Sequence, residues 1–190
     1  MPSLLENKWS CLSKTSAMII KNYNINFSID FFIILTIFII DRLTKIYVIF
    51  LSKSLNNTNL FLSKYLNIQL LWNEWVGFGL FAFNDTFYYN TLTTIIIIIT
   101  IIVLYFMIKA EGVEKYGFMM IAGGSAGNIF DRLFYSAVPD FIDIHYENFH
   151  WFIFNVADIF ITSGVILLIT FELIFKKKEK WEEFLTLFFS

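Results

Sequence analysis

Aspartates are the commonest groups able to do chemistry in the apolar part of this chain. Five of them are Asp41, Asp131, Asp140, Asp143 and Asp158. Two carboxylates held close together share one proton, because their like charges raise one pKa and keep the other low. Such a pair can take a proton from water and protonate a leaving amine. The residue types therefore favour hydrolysis of an amide bond.

The remaining reactive side chains favour other chemistries poorly. Cys11 is the only cysteine and stands in a polar N-terminal segment. The two histidines, His145 and His150, stand in an aromatic stretch typical of the membrane interface, and they are too few for a usual zinc ligand set. Ser125 stands among glycines, a setting typical of helix packing rather than of a nucleophile. We expect no metal and no cofactor.

The composition is that of a membrane protein. Hydrophobic residues make up 57%, and only 16% of residues are charged, whereas a soluble domain carries about 25%. A membrane-spanning helix needs about 20 mostly apolar residues, because its backbone must satisfy its own hydrogen bonds. Four stretches meet this requirement: 29–51, 88–108, 116–135 and 154–175. We predict an all-α membrane protein with four transmembrane helices.

The positions of lysine and arginine predict the orientation. They accumulate in the segment 1–28, in the loop between spans two and three, and in the segment 176–190. These regions share one side of a four-span protein, so the positive-inside rule places both termini in the cytoplasm. We therefore predict two cytoplasmic tails, 1–28 and 176–190, around a membrane domain at 29–175. The net charge of −2 and the lack of a basic, aromatic-interleaved run argue against a nucleic-acid partner.

The stretch 65–83, between spans one and two, is aromatic and β-prone. It follows a turn formed by Asn56, Asn57, Thr58 and Asn59. Strand-forming residues bounded by turn residues favour a hairpin. We predict a small extracytoplasmic β-rich loop or sheet between spans one and two.

Polar residues of three predicted spans reach the same depth, near the outer face. Ionisable groups within a span cost about 2.5–3.5 kcal/mol each on insertion scales, so each one calls for pairing or function. Asp41 and Lys45 are one helical turn apart in span one, where a structural ion pair is the alternative explanation. The others are Asn128, Asp131 and Arg132 near the end of span three, and Asn155 and Asp158 at the start of span four. We predict one site at the outer face.

Five ordered segments carry a resemblance to a known family. They are 41–45 (DRLTK), 73–81 (NEWVGFGLF), 123–132 (GGSAGNIFDR), 138–142 (VPDFI) and 154–158 (FNVAD). Together they resemble the motifs of lipoprotein signal peptidase, also called signal peptidase II, over residues 29–175. The family pattern usually has a glycine where this chain has Trp75.

The resemblance implies an aspartic endopeptidase of the bacterial inner membrane that needs no metal. Its members remove the signal peptide from prolipoproteins, cutting before a cysteine that carries a diacylglyceryl group, and they are inhibited by globomycin. By position, Asp140 and Asp158 are the catalytic pair. The positions that shape the site and bind substrate are Asp41, Lys45, Asn73, Asn128, Asp131, Arg132 and Asn155. Membrane lipid is a further expected partner, and the active site faces the periplasm.

Two other functions are weighed against a peptidase. Intramembrane carboxylates with a lysine partner also mark proton or cation transporters, but the inner halves of the spans are nearly free of polar residues. A peptidase-like scaffold without activity would be favoured if either catalytic aspartate were replaced, and neither is. Asp143 lies outside the family motif, and we expect it to be a solvated loop carboxylate.

Overall fold

The computed structural model describes residues 3–55, 59–61, 63–74, 86–146 and 149–176. Four helices are present in this part of the chain: α1 (Ser3–Leu55), α2 (Thr86–Lys109), α3 (Gly112–Tyr135) and α4 (Val156–Phe171). A π-helical turn, Glu172–Lys176, continues α4. Four strands accompany them: β1 (Asn59–Phe61), β2 (Leu66–Asn73), β3 (Val138–Tyr146) and β4 (Phe149–Phe154).

Each predicted span overlaps one helix. Within the described residues, two helices are long and apolar enough to cross a membrane, over Tyr89–Lys109 and Val156–Ile174. The helices α1 and α3 carry the charged residues of the predicted site within their length. Four helices are therefore confirmed, while a fourfold crossing of the membrane stays a prediction.

The first helix does not begin where the first predicted span begins. It runs without interruption from Ser3, so most of the predicted N-terminal tail belongs to the same helix as the span at 29–51. Apolar length defines a span, but it does not define where a helix begins, because polar residues also form helices. Residues 177–190 of the predicted C-terminal tail lie outside the described residues.

Small residues let α1 and α4 approach α3 closely. A Cβ atom on Gly124 would lie 2.5 Å from the carbonyl oxygen of Ala157, on α4. A Cβ atom on Gly123 would lie 2.8 Å from the Ile37 side chain, on α1. Helices in membranes associate through such close backbone contacts. The glycine-rich part of α3 thereby brings the polar ends of three helices together.

The strands form one antiparallel sheet in the order β1-β2-β3-β4. The prediction placed β structure only between spans one and two, whereas β3 and β4 come from the loop between α3 and α4. That loop carries Asp140, Asp143 and His145, which weaken a strand pattern, and pairing with β2 overrides this local preference. A bulge interrupts the β2–β3 register between Ile68 and Leu71. Residues 75–83 of the predicted hairpin lie outside the described residues.

Candidate active site

Asp140 lies buried on β3 and is held by two asparagine side chains. The Nδ2 atom of Asn73 donates to Oδ2 of Asp140 at 2.8 Å, and Nδ2 of Asn155 donates to Oδ1 at 2.6 Å. The sheet register pairs Asn73 with Val138. Asn73 is therefore a diagonal neighbour of Asp140 across the two strands, within reach of its side chain. Both carboxylate oxygens of Asp140 are directed by amide donors.

Asp158 is fixed at the start of α4 by a capping box. The backbone N–H of Asp158 donates to Oδ1 of Asn155 at 3.2 Å, and the backbone N–H of Asn155 donates to Oδ2 of Asp158 at 3.1 Å. A capping box satisfies two helix-end donors with two side chains and fixes both of their positions. The Nδ2 atom of Asn128 donates to Oδ1 of Asp158 at 2.8 Å. Asn155 thus contacts both predicted catalytic aspartates.

Lys45 lies beneath these carboxylates and is 1% exposed. Its Nζ donates to Oδ2 of Asp41 at 2.9 Å, to Oδ1 of Asn128 at 2.9 Å and to Oδ2 of Asp131 at 2.7 Å. An ammonium group has three donors and no acceptor, so all three are used. Because Lys45 can only donate, the oxygen of Asn128 must face it, and the Asn128 amide nitrogen is directed to Asp158.

Asp41 joins this network to the backbone of α4. Its Oδ1 accepts from the backbone N–H of Ala157 at 3.0 Å, in the first turn of α4, where backbone N–H groups lack helical partners. The predicted Asp41–Lys45 ion pair is therefore present, and it links three helices. It also has the anchoring role that was weighed as its alternative explanation.

Arg42 is a part of the site that sequence reasoning did not select. It donates to both carboxylate oxygens of Asp131 and to Oδ2 of Asp41 at 3.0 Å. Its guanidinium also lies 4.9 Å from the ring centre of Phe130. Its position next to Asp41 in the sequence could have identified it, because buried carboxylates need nearby cations to neutralise their charge.

Arg132 lies beside this network, and its site-shaping role stays a prediction. Its Nη1 donates to the carbonyl oxygen of Asn128, on its own helix, at 3.3 Å. The hydroxyl of Tyr89, on α2, donates to the carbonyl oxygen of Arg132 at 3.2 Å. The charge of Arg132 still acts on both Asp140 and Asp158. Arg132 therefore contributes to the electrostatics of the site without a described hydrogen bond to either aspartate.

The expectation for Asp143 is wrong, because this carboxylate is fully buried. It lies on β3 with its Oδ2 3.8 Å from Nδ1 of His145. His145 is 8% exposed, so the prediction of an interfacial side chain is wrong as well. Both errors have one cause, since alternate residues of a strand point to opposite faces and the loop was not predicted to form strands. The side chain of His150 lies outside the described part of the chain.

Burial raises the pKa of Asp140 from 3.8 to about 6. The nearby charge of Asp158 raises the pKa further, whereas the hydrogen bonds from Asn73 and Asn155 and the charge of Lys45 lower it. Among the site residues, Asp41, Asp131, Asp140 and Asp158 supply four negative charges, and Arg42, Lys45 and Arg132 supply three positive charges. One proton on the aspartate pair would make this cluster neutral.

The raised pKa of Asp140 predicts how stability depends on pH. A carboxyl whose folded-state pKa exceeds its unfolded value stabilises the fold below the unfolded value, and this stability is lost as pH rises through the folded value. We expect the titration of Asp140 to lower the free energy of unfolding of the wild type by about 2 kcal/mol between pH 4 and pH 7. Asp140→Asn removes this titration. In thermal unfolding in detergent, the stability of the variant relative to the wild type should increase as pH rises. A stability difference that does not depend on pH would contradict the raised pKa of Asp140.

The described residues contain no group of three histidine, cysteine, aspartate or glutamate side chains placed to hold a metal ion. What the geometry offers is a buried aspartate, a second aspartate joined to it through Asn155, and a charge-balancing cluster below them. The fold and the site together define a class, a protein of long apolar helices with a carboxylate site at one end suited to acid–base chemistry.

Comparison with known proteins identifies the family. A family model described as signal peptidase (SPase) II matches residues 33–174. The chain is 45% identical over 158 residues to the lipoprotein signal peptidase of Pelagibacter ubique (strain HTCC1062), covering 83% of this chain and 95% of the relative. It is 36% identical over 157 residues to that of Rickettsia felis, covering 80% of this chain and 78% of the relative. The chain belongs to the signal peptidase II family.

The fold agrees with this assignment. Two solved structures of a bacterial membrane enzyme, obtained by the in meso method, are each 30% identical to the chain. Their TM-scores are 0.62 and 0.61, and the matches cover 76% and 77% of this chain and 87% and 93% of theirs. The protein is therefore a peptidase of a bacterial membrane, which confirms the family predicted from the motifs and favours it over a transporter.

Proposed function

We propose that this protein is an aspartic endopeptidase that removes the signal peptide from diacylglyceryl-modified prolipoproteins, cutting before the lipidated cysteine. Asp140 and Asp158 form its catalytic pair. The observation that carries the proposal is Asn155, which binds Asp140 through its side chain and Asp158 through its backbone N–H and Oδ1. One residue thereby holds both carboxyl groups in a fixed relation, as a shared-proton mechanism requires.

The proposed reaction uses one ionised and one protonated carboxyl. The ionised member takes a proton from water as the water oxygen attacks the scissile carbonyl carbon, and the protonated member gives its proton to the departing amine. Burial and the neighbouring Asp158 raise the pKa of Asp140. We therefore propose that Asp140 carries the shared proton in the free enzyme. In this singly protonated form the charges of the four aspartates and the three cations of the cluster balance, although the charge of Lys45 alone lowers the pKa of Asp140.

We further propose that all four helices cross the bacterial inner membrane, with both termini in the cytoplasm and the site at the periplasmic face. The apolar composition of α2 and α4 supports this, as do exposed apolar side chains on α1, including Phe31, Phe32 and Ile39. Arg42 and Lys45 of α1 are paired with Asp131 of α3 inside the protein, as charged groups in spans usually are. The lysine distribution supports the orientation.

The proposed substrate and inhibitor follow from family membership. The relatives named above are lipoprotein signal peptidases, which supports prolipoproteins as the substrate class. A diacylglyceryl chain would lie in the bilayer beside the exposed apolar faces of the helices, so membrane lipid is part of the binding environment. Globomycin is proposed to bind at the aspartate pair and to compete with the precursor.

The test is cleavage of a purified prolipoprotein by the purified protein in detergent, followed by gel shift. A precursor with the diacylglyceryl group should be cut, and a matched precursor without it should not. Globomycin should suppress the cut. Cleavage of both precursors at equal rates would reject the lipid requirement, and failure to cut either by folded protein would favour the inactive scaffold.

A further inference from the structure

A second buried polar cluster lies on the sheet, formed by Asn67 on β2 and by Asp143 and His145 on β3, and is called the polar clamp below. Asp143 is fully buried, and Asn67 and His145 are 7% and 8% exposed. The intervening residue of β3, Ile144, is 43% exposed. Two polar side chains of β3 and one of β2 are therefore withdrawn from solvent, while the residue between the two on β3 faces outward.

The polar clamp is separate from the aspartate pair. Alternation along β3 directs Asp143 and His145 to the face opposite that of Asp140. Burying a carboxylate is costly unless a cation or hydrogen-bond donors accompany it. Nδ1 of His145 lies 3.8 Å from Oδ2 of Asp143, so the two buried side chains are adjacent. The polar clamp therefore lies on the face of β3 opposite the side chain of Asp140.

The position of the polar clamp in the sheet indicates its role. Asn67 pairs with Asp143 in the β2–β3 register, and Asn73 pairs with Val138 at the other end of the same ladder. The bulge between Ile68 and Leu71 separates the two ends. A slip of one residue in a strand turns each side chain to the other face. Fixing the ladder on one side of the bulge therefore fixes where Asn73 points on the other side.

We propose that Asn67, Asp143 and His145 are positioning residues, which hold β2 on β3 beyond the bulge and so keep the Asn73 amide against Asp140. The inference rests on the proposed function, because it gives Asp140 a catalytic role. Asn73 donates to Asp140 at 2.8 Å, and this contact is what the polar clamp would protect. The side chain that acts on the reaction is Asp140, and the polar clamp acts through Asn73.

Asp143→Asn is the first variant to test, assayed per mole of folded enzyme with the lipidated precursor. We expect kcat to fall about ten- to a hundredfold, as a small misplacement near the chemistry does, with KM changed less than about twofold. The hydrogen bond from Asn73 lowers the pKa of Asp140. Losing it should move the limb of the pH–rate profile that reports Asp140 upward by about one pH unit. Asn73→Ala should move that limb in the same direction.

The double variant Asn73→Ala/Asp143→Asn separates positioning from stability. If the polar clamp acts through Asn73, the double variant should shift the limb no further than Asn73→Ala does alone, since the two changes remove one interaction. Additive shifts would overturn the inference. Phe152→Ala, on the outer strand β4, is the matched control, which should lower the melting temperature without moving the limb.

A purely structural polar clamp would give a different pattern. Asp143→Asn would then lower the melting temperature but leave kcat per folded enzyme and the pH profile unchanged, and this result would overturn the inference. If Asp143→Asn does not fold, His145→Gln is tested instead, because it replaces the imidazole by another polar group, an amide. The same readouts then decide between a positioning role and a purely structural role. Cleavage by Asp140→Asn would instead reject the proposed function. If Asp140→Asn does not cleave the precursor and Asp143→Asn has the kcat and pH profile of the wild type, the inference is rejected and the proposed function stands.

Discussion

Asp140→Asn is expected to lower kcat for the lipidated precursor by about 10⁴-fold or more, which a gel-shift assay reads as no cleavage. An amide is too weak a base to take a proton from water and too weak an acid to protonate the leaving amine. Neither proposed role of Asp140 therefore survives the change. The fold should survive, because an asparagine can still accept from Asn73 or Asn155, and the buried carboxyl of Asp140 contributes no net stability at neutral pH.

Asp158→Asn should have an equally large effect on cleavage. The double variant Asp140→Asn/Asp158→Asn should be no worse than either single variant, because residues that act as a unit lose their function together. Asp143→Asn is the matched control, a buried aspartate of the same strand that should keep measurable turnover. Membrane insertion and melting temperature are measured for each variant. Cleavage near the wild-type rate by folded Asp140→Asn or Asp158→Asn would reject the pair.

The helices and most of the polar site could be predicted because membranes impose strong rules. Apolar length located four helices, and the depth of the charged residues along the spans placed Asp41, Lys45 and Asp131 at one end of the bundle. The structure connects them through Lys45 and Asn128. Intramembrane charges must find partners, so their presence alone predicts that they meet.

The sheet and the roles of its polar residues could not be predicted in the same way. Whether Asp143 is solvated or buried depends on which face of β3 it occupies, and this requires the pairing of β3 with β2, some 70 residues away in the chain. The residues near Asp143 in the sequence do not reveal the register in which β3 pairs with β2. Arg42 was missed for a related reason, since its partner Asp131 lies on another helix. The site of Trp75, where the chain departs from its family, lies outside the described residues.

Lys45→Met should be the most destabilising substitution in the site. Lys45 is almost fully buried and uses all three donors on Asp41, Asn128 and Asp131. Removing one partner of a buried ion pair leaves an uncompensated charge, and such changes cost about 3–5 kcal/mol. Arg42 neutralises only part of the charge that is left. We expect a large loss of the free energy of unfolding in detergent, and loss of cleavage in any protein that folds.

The compensating variant tests whether charge, rather than side-chain volume, is the cause. In Lys45→Met/Asp131→Asn one buried negative charge is removed with the positive one, so the double variant should be more stable than Lys45→Met by about 1–3 kcal/mol. Cleavage should stay low, because Asn128 still lacks the ammonium group that directs its amide to Asp158. If the second change adds to the damage of the first, the electrostatic account of the cluster is wrong. Wild-type stability of Lys45→Met alone would show that the carboxylates share protons instead of facing a cation.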